Sequence, residues 1–180
     1  MKDVIETILY TQEEITSKCQ ELGAQITKDY QASGELPYVV GLLRGSIPFM
    51  AELMKYIDMD FQIDFMDVSS YQGTKSLGHI RINKDLDCNV AGMSILLVED
   101  IVDTGRTLKE VKRTLLNKGA KDVKIVSLLD KPGRRVVDVE ADYVGFQIPD
   151  EFVVGYGLDY DQLYRNLPYI GVLKRSVYEK

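Results

Sequence analysis

Residues 95–108, ILLVEDIVDTGRTL, constrain this chain more than any other stretch. Ile95, Leu96, Leu97 and Val98 form an unbroken apolar run, the pattern of a strand buried on both faces of a parallel sheet. Glu99 and Asp100 end the run and Asp103 follows. Thr104, Gly105, Arg106 and Thr107 then lead into an amphipathic pattern that begins at Leu108. Acids at a strand end can hold hydroxyls or a metal. A loop that opens a helix can hold a phosphate on free backbone N–H groups.

The rest of the chain alternates in the same way. Residues 4–10 suit a short strand. Thr11 and Glu14 fit a capping box, opening a helix whose buried face carries Ile15, Cys19, Leu22, Ile26 and Tyr30 and which stops at Gly34. PYVVGLL at 37–43 reads as a buried strand ended by Arg44-Gly45-Ser46, and Pro48 suits the first turn of a helix over 48–57. Phe61, Ile63 and Phe65 alternate as a strand does. The polar stretch 69–78, SSYQGTKSLG, reads as a mobile loop before a strand at 79–83. Leu108, Val111, Leu115 and Leu116 mark the helix after the acids, closed by Gly119. Residues 123–129 form another apolar strand, ending in Asp130-Lys131-Pro132-Gly133, and shorter strands are expected at 143–146, 152–154 and 169–173.

This order predicts an α/β fold with a mainly parallel sheet flanked by helices. Residues 1–180 are expected to form a single domain, with a small lobe built from parts of the N-terminus and about 135–180, where helical pattern thins. A chain of 180 residues can bury a full core without disulfides. Cys19 and Cys88 show no metal-ligand spacing and are expected to stay reduced. A net charge of -6 argues against a general nucleic-acid surface. Acids interrupt the stretch where a signal peptide needs its apolar core, and no apolar run approaches the ~18–20 residues of a membrane span. A soluble, cytoplasmic protein is expected.

Three strand ends carry polar, glycine-containing loops: 43–46, 99–107 and 130–133. In an open parallel sheet the carboxyl ends of strands line one crevice, so the three can meet on one ligand. Taken singly each has a plainer meaning. Gly45 and Gly133 suit ordinary turns, and Asp103 stands where a helix N-cap would. Glu99 and Asp100, being adjacent on a strand, point to opposite sides, so only part of the pair need face a ligand.

VEDIVDTGRTL resembles the phosphoribosylpyrophosphate-binding motif of type I phosphoribosyltransferases. GLLRGS, the SSY stretch, LLDKPGRR and IPDEFVVGYGLDYDQLYRNLP are similar to the hypoxanthine-guanine branch of that family, so the resemblance runs from Val39 to Leu173. It implies transfer of the 5-phosphoribosyl group from phosphoribosylpyrophosphate to hypoxanthine or guanine, giving IMP or GMP and pyrophosphate in purine salvage. It further implies that residues 103–107 bind the 5-phosphate through backbone N–H groups and the Thr104 and Thr107 hydroxyls. Glu99 and Asp100 would address the ribose hydroxyls, directly or through Mg2+. Leu43, Arg44 and Gly45 would form the pyrophosphate loop, with a cis peptide joining Leu43 to Arg44, and Arg165 would meet the pyrophosphate. Lys131 would donate to the 6-oxo group, Phe152 would stack on the purine and Val153 would read it through its backbone. Asp159 would border the purine and help hold a second Mg2+. Ser70 and Tyr71 would belong to a closing loop, and Asp103 would be the general base. Phe152 as simple core and Arg165 as a surface cation remain open readings. Arg44 and Arg106 stand where many relatives carry lysine, and in both loops the backbone is expected to do most of the binding. The resemblance also implies a homo-oligomer, dimer or tetramer, with small-molecule substrates, no nucleic acid and no membrane.

Other classes fit less well. ILLVED also resembles the first strand and acidic pair of a signalling receiver domain, but too little chain follows it and the DTGRT loop would have no role. A regulator of the same fold that binds RNA or DNA would leave Lys131 and Phe152 idle. Adenine, uracil and orotate enzymes share the first motif but lack the LLDKPGRR and DEFVVGYGLDY pattern.

Overall fold

In the computed structural model, which describes residues 2–70 and 80–179, the alternation becomes two sheets sharing one core. The larger has six strands, β2 (Pro37–Leu43), β3 (Gln62–Ser70), β4 (Ile80–Lys84), β5 (Ser94–Val102), β6 (Asp122–Asp130) and β7 (Tyr143–Gln147). Their spatial order is β4-β3-β2-β5-β6-β7. All neighbours are parallel except β4, which runs antiparallel to β3 at one edge. The smaller sheet is antiparallel and joins β1 (Ile5–Tyr10) to β9 (Ile170–Leu173) and β8 (Val153–Val154).

Side-chain alternation along β5 explains why helices cover both faces of the large sheet. Leu96 and Val98 face α1 (Gln12–Ser33) and α2 (Ile47–Leu53), packing in one cluster with Ile15, Cys19, Leu22, Ile26, Phe49 and Met50. Ile95 and Leu97 face the other way, onto Leu108, Val111 and Leu115 of α3 (Arg106–Asn117). The expected capping box is present: the Glu14 N–H donates to Thr11 Oγ1 at 3.3 Å and the Thr11 N–H to Glu14 Oε2 at 2.8 Å. Gly34 closes α1 at φ 71°, a left-handed turn that glycine adopts without a Cβ clash.

Several boundaries depart from expectation, each for a reason visible in strand pairing. β5 runs four residues past Val98, because β6 remains its partner as far as Val102↔Asp130 after the β2 pairing has ended at Gly41↔Val98. Glu99 and Asp100 are therefore strand residues rather than loop. Ser69 and Ser70 belong to β3, where they pair with Arg81 and Ile80, so the expected loop starts later than 69. Tyr71 and the rest of that loop to residue 79 lie outside the described residues. The helix placed at 48–57 splits into α2 and a separate single turn, Met54–Tyr56. Residues 143–147, assigned from sequence to the small lobe, form β7 of the large sheet beside β6.

The small sheet is pinned to the large one. The Tyr10 ring of β1 stacks on Phe146 of β7 with centroids 3.8 Å apart, and Ile170, Val172 and Val153 share the cluster of Leu96 and Val98. Among the described residues no helix is long and apolar enough to cross a membrane. The central strand should dominate stability. Leu97→Ala, at a fully buried position, is expected to lower unfolding free energy by about 2–5 kcal/mol in a urea titration.

Candidate active site

β2 turns away at Leu43 just where β5 carries its acids forward, and the gap between them is closed by backbone. Gly45 lies so near Asp100 that a Cβ built on it would fall 1.6 Å from Asp100 Oδ2. Gly157, from the turn after β8, approaches the other side of the same loop, its built Cβ falling 1.9 Å from the Gly45 carbonyl oxygen. Two glycines thus let three distant segments meet: 43–46, 99–100 and 155–158. The Leu43–Arg44 peptide at this junction is cis, as the resemblance implied.

The two acids face different surroundings. Glu99 Oε2 is buried with no hydrogen-bond partner among the described residues. Burial and the neighbouring Asp100 carboxylate push the Glu99 pKa well above the usual carboxylate range. Asp100 is pushed up to about 6, chiefly by burial, although the Ile101 N–H and the nearby Arg165 guanidinium pull the other way. A half-buried acid pair short of positive charge is suited to a divalent cation or to sugar hydroxyls. The donor set fits magnesium, a hard ion that is commonly held by one or two carboxylates together with substrate phosphates. Among the described residues no three His, Cys, Asp or Glu side chains gather into a metal cage, so most of the coordination would come from outside the protein.

Past β5 the chain turns into α3 through Gly105, whose φ of 80° favours glycine and whose built Cβ would meet Val139 at 2.5 Å. Gly105 is itself the N-cap and makes no side-chain cap bond. Asp103 is therefore not a helix cap. Its Oδ1 accepts from Arg134 Nε at 3.2 Å, and its carbonyl accepts from Arg135 Nη1. Arg135 also pairs with the buried Asp130 carboxylate, and the Val136 N–H donates to the Thr104 carbonyl at 3.2 Å. Residues 134–136 thus support the 103–107 loop from the strand next door. LLDKPGRR drew attention to Lys131 alone. The two arginines that follow it were legible as charges but not as props for a loop some thirty residues earlier.

Asp103, Lys131, Phe152, Val153 and Asp159 border one cleft of about 480 Å³, together with Ile101, Arg134 and Asp150. Lys131 is buried; its Nζ donates to the Glu151 carbonyl at 2.7 Å and lies 3.7 Å from Asp150 Oδ1. An ammonium has three donors and the Glu151 carbonyl takes one, which leaves donors for a ligand. Phe152 is 36% exposed, which removes the reading of simple core. Asp159 is held at the cleft edge, its Oδ1 2.9 Å from Arg165 Nη2 and its Oδ2 accepting from the Gln162 N–H at 2.8 Å. Arg165 is not a plain surface cation. Its Nη1 donates to the Gly157 carbonyl at 2.6 Å, and its Nη2 reaches Gln162 Oε1 at 3.0 Å, which also accepts from Arg44 at 3.4 Å. Arg44 and Arg106 are exposed. Of the expected site residues, Ser70 ends β3 and Tyr71 is outside the described residues; the others cluster at one end of the large sheet. A second hollow, about 440 Å³, opens at the opposite strand ends beside Leu36, Tyr38 and Phe61. Of its three charged members, Glu35, Asp60 and Lys121, the first and last are paired with each other.

Two outcomes test this geometry. Gly45→Ala should displace the Asp100 carboxylate and lower kcat/KM by roughly 100-fold, read from steady-state kinetics. The raised acids also fix a pH dependence. The folded state holds the Asp100 proton up to about pH 6, whereas the unfolded chain releases it near the ordinary value of 3.8. Through Asp100, the stability of the ligand-free protein should therefore fall as pH rises between those values, and the raised Glu99 extends the fall to higher pH. Glu99→Gln removes the cost of a buried charge and its repulsion of Asp100, so its Tm should exceed that of the parent at pH 8, with the gap shrinking toward pH 4.

Known proteins bear directly on this arrangement. A family model described as a phosphoribosyl transferase domain matches residues 7–161. The hypoxanthine-guanine phosphoribosyltransferase of Lactococcus lactis subsp. lactis is 57% identical over 98% of this chain and 95% of its own length. Its counterpart from Streptococcus mutans serotype c is 55% identical over 98% and 97%. A crystal structure of a hypoxanthine phosphoribosyltransferase from Staphylococcus aureus superposes with a TM-score of 0.95 at 53% identity, covering 100% of this chain and 97% of that one. A Trypanosoma cruzi hypoxanthine phosphoribosyltransferase in a ternary substrates complex gives a TM-score of 0.93 at 38% identity, covering 98% and 99%. With the strand-end acids, the helix-opening loop and the third loop's lysine all at one end of the large sheet, this chain belongs to the phosphoribosyltransferase family, in its hypoxanthine-guanine branch.

Proposed function

We propose that the protein transfers the 5-phosphoribosyl group from phosphoribosylpyrophosphate to hypoxanthine or guanine, forming IMP or GMP and pyrophosphate. The observation that carries this reading is the position of Asp103. Its carboxylate borders the cleft shared by Lys131 and Phe152, while its backbone begins the loop that opens α3. One residue therefore stands between the place suited to a base and the place suited to a phosphate.

The donor is held by the first two loops. Residues 103–107 bind its 5-phosphate, using the backbone around Gly105, the Thr104 and Thr107 hydroxyls and the favourable end of the α3 dipole. The backbone of Leu43, Arg44 and Gly45 takes the pyrophosphate, with the Arg165 guanidinium behind it. Glu99 and Asp100 accept from the ribose hydroxyls and would hold magnesium. When bound, magnesium neutralises charge on the departing pyrophosphate. Asp159 would hold a second ion, and to do so it must share the oxygen now turned to Arg165.

The acceptor lies in the cleft. Phe152 covers its ring, Lys131 donates to the 6-oxo oxygen, and the Val153 backbone reads the 2-position side. An ammonium has no acceptor lone pair, so this lysine favours an oxo purine over an amino purine. As the purine nitrogen forms its bond to the anomeric carbon, the bond to pyrophosphate breaks and its electron pair leaves with the phosphate oxygen. Asp103 takes the proton released from the purine ring. A closing loop with Ser70 and Tyr71, which the family resemblance implies, would limit attack by water during this step.

The family's usual assembly, a homodimer or homotetramer, is proposed here as well, with no nucleic-acid partner. Exposed Leu36 and Ile63 offer apolar surface for it. A cytoplasmic location suits the free thiols of Cys19 and Cys88.

Purified protein given the donor, magnesium and a panel of hypoxanthine, guanine, xanthine, adenine and uracil should release pyrophosphate with the 6-oxopurines only. Activity with adenine alone would overturn the proposal. Asp103→Asn is expected to lower kcat by about 10²–10⁴-fold with donor binding nearly intact, measured by rapid-mixing kinetics and calorimetry. Lys131→Ala should raise KM for hypoxanthine and guanine far more than KM for the donor. Equal effects on both would remove the base-reading role.

A further inference from the structure

We infer that Tyr178 is a positioning residue for Phe152, and that residues 174–179 fold back to make the outer aromatic wall of the base cleft. This rests on the reading of that cleft as the purine site. The path of the chain is short and well tied. Leu173, the last residue of β9, donates its N–H to the Phe152 carbonyl at 2.8 Å, and the Lys174 N–H is taken by the Val4 carbonyl at 2.9 Å. A single turn, α4 (Arg175–Tyr178), then reverses the direction, with the Val177 N–H on the Lys174 carbonyl at 2.9 Å and the Glu179 N–H on the Arg175 carbonyl at 2.8 Å.

That turn returns Tyr178 to Phe152. The two rings stack with centroids 4.9 Å apart and planes 23° from parallel. Tyr160 meets Phe152 edge-on, at 5.6 Å and 84°. Both are favourable aromatic geometries, and together they fix the plane of a ring that remains 36% exposed. Tyr178 borders the same cleft as Ile101, Asp103 and Lys131. Val177 and Tyr178 are anchored by packing on Val154, Leu167 and Leu173. The segment therefore acts on the acceptor's half of the site. It holds Phe152 in the plane that a purine needs and narrows the opening through which the base enters. Loss of the Tyr178 ring should weaken base binding without weakening the donor's hold.

The full chain with Tyr178→Ala, Tyr178→Leu and Tyr178→Phe should be compared with the parent and with Lys131→Ala, varying base and donor separately. Tyr178→Ala should raise KM for hypoxanthine and guanine roughly five- to tenfold, the scale of a lost aromatic stack. KM for the donor should stay within about twofold, and Tyr178→Phe, which keeps the ring, should restore the parent value. Tyr178→Leu preserves apolar packing on Val154 and Leu167 but not the stack. It should therefore show the same rise even where Tyr178→Ala loosens the segment. If Lys131→Ala raises KM for the base and neither Tyr178→Ala nor Tyr178→Leu does, the inference fails while the cleft assignment stands. Equal rises for base and donor would indicate a merely structural role and overturn it. A fall in KM for the base would mean that the tyrosine ring competes with the purine, and would overturn it too. If Lys131→Ala leaves KM for the base unmoved, the cleft assignment itself is wrong and the inference goes with it.

Discussion

Where β2 and β5 part company, β5 continues beside β6 alone and carries two carboxylates into the space that β2 has left. The backbone at Gly45 occupies the rest of that space, against Asp100. Everything in the site is placed relative to this contact. It brings the 43–46 loop over the acids. It receives the 155–158 turn through Gly157, and with that turn come Asp159 and Arg165. A larger residue at Gly45 or Gly157 would push apart segments that lie some fifty-five and more than a hundred residues from one another along the chain.

Electrostatics then divides the cleft. The chain is acidic as a whole, with a formal charge of -6, yet its basic side chains at the site are committed in a definite pattern. Arg134 and Arg135 attend Asp103 and Asp130, Arg165 attends Asp159, and Lys131 is held by a backbone carbonyl near Asp150. Glu99 has no such partner among the described residues, and Asp100 shares Arg165 with Asp159. The acids left without a basic partner are thus the pair at the end of β5, which suits a cation. The compensated carboxylate, Asp103, is the one to which the proposed function gives the proton. Site acids with different surroundings commonly have different tasks.

Local signals account for most of what could be read in advance. The apolar run 95–98 and the Thr11 and Glu14 capping pair each act over a few residues, and each produced its expected structure. The gathering of three strand-end loops followed from parallel topology. What escaped notice depends on partners remote in sequence. The true end of β5 is set by how far β6 extends. The place of residues 143–147 in the large sheet is set by pairing with β6. Arg135 looks like a surface charge until Asp130 and the Asp103 carbonyl are brought to it, and Tyr178 gives no sequence sign that a turn returns it to Phe152.

The cleft is bounded by two sheets of different character. Ile101, Asp103 and Lys131 come from the strand ends of the parallel sheet, whereas Val153 lies in the antiparallel one and Phe152 directly precedes it. The shared core and the Tyr10–Phe146 stack hold these walls in register. The parallel wall carries the groups suited to a sugar phosphate, and the antiparallel wall supplies most of those that would touch a base. Heredity can therefore edit the two separately: a lineage could trade one nucleobase for another by altering the short sheet and the strap behind it. The machinery that activates the sugar would pass unchanged from parent to descendant.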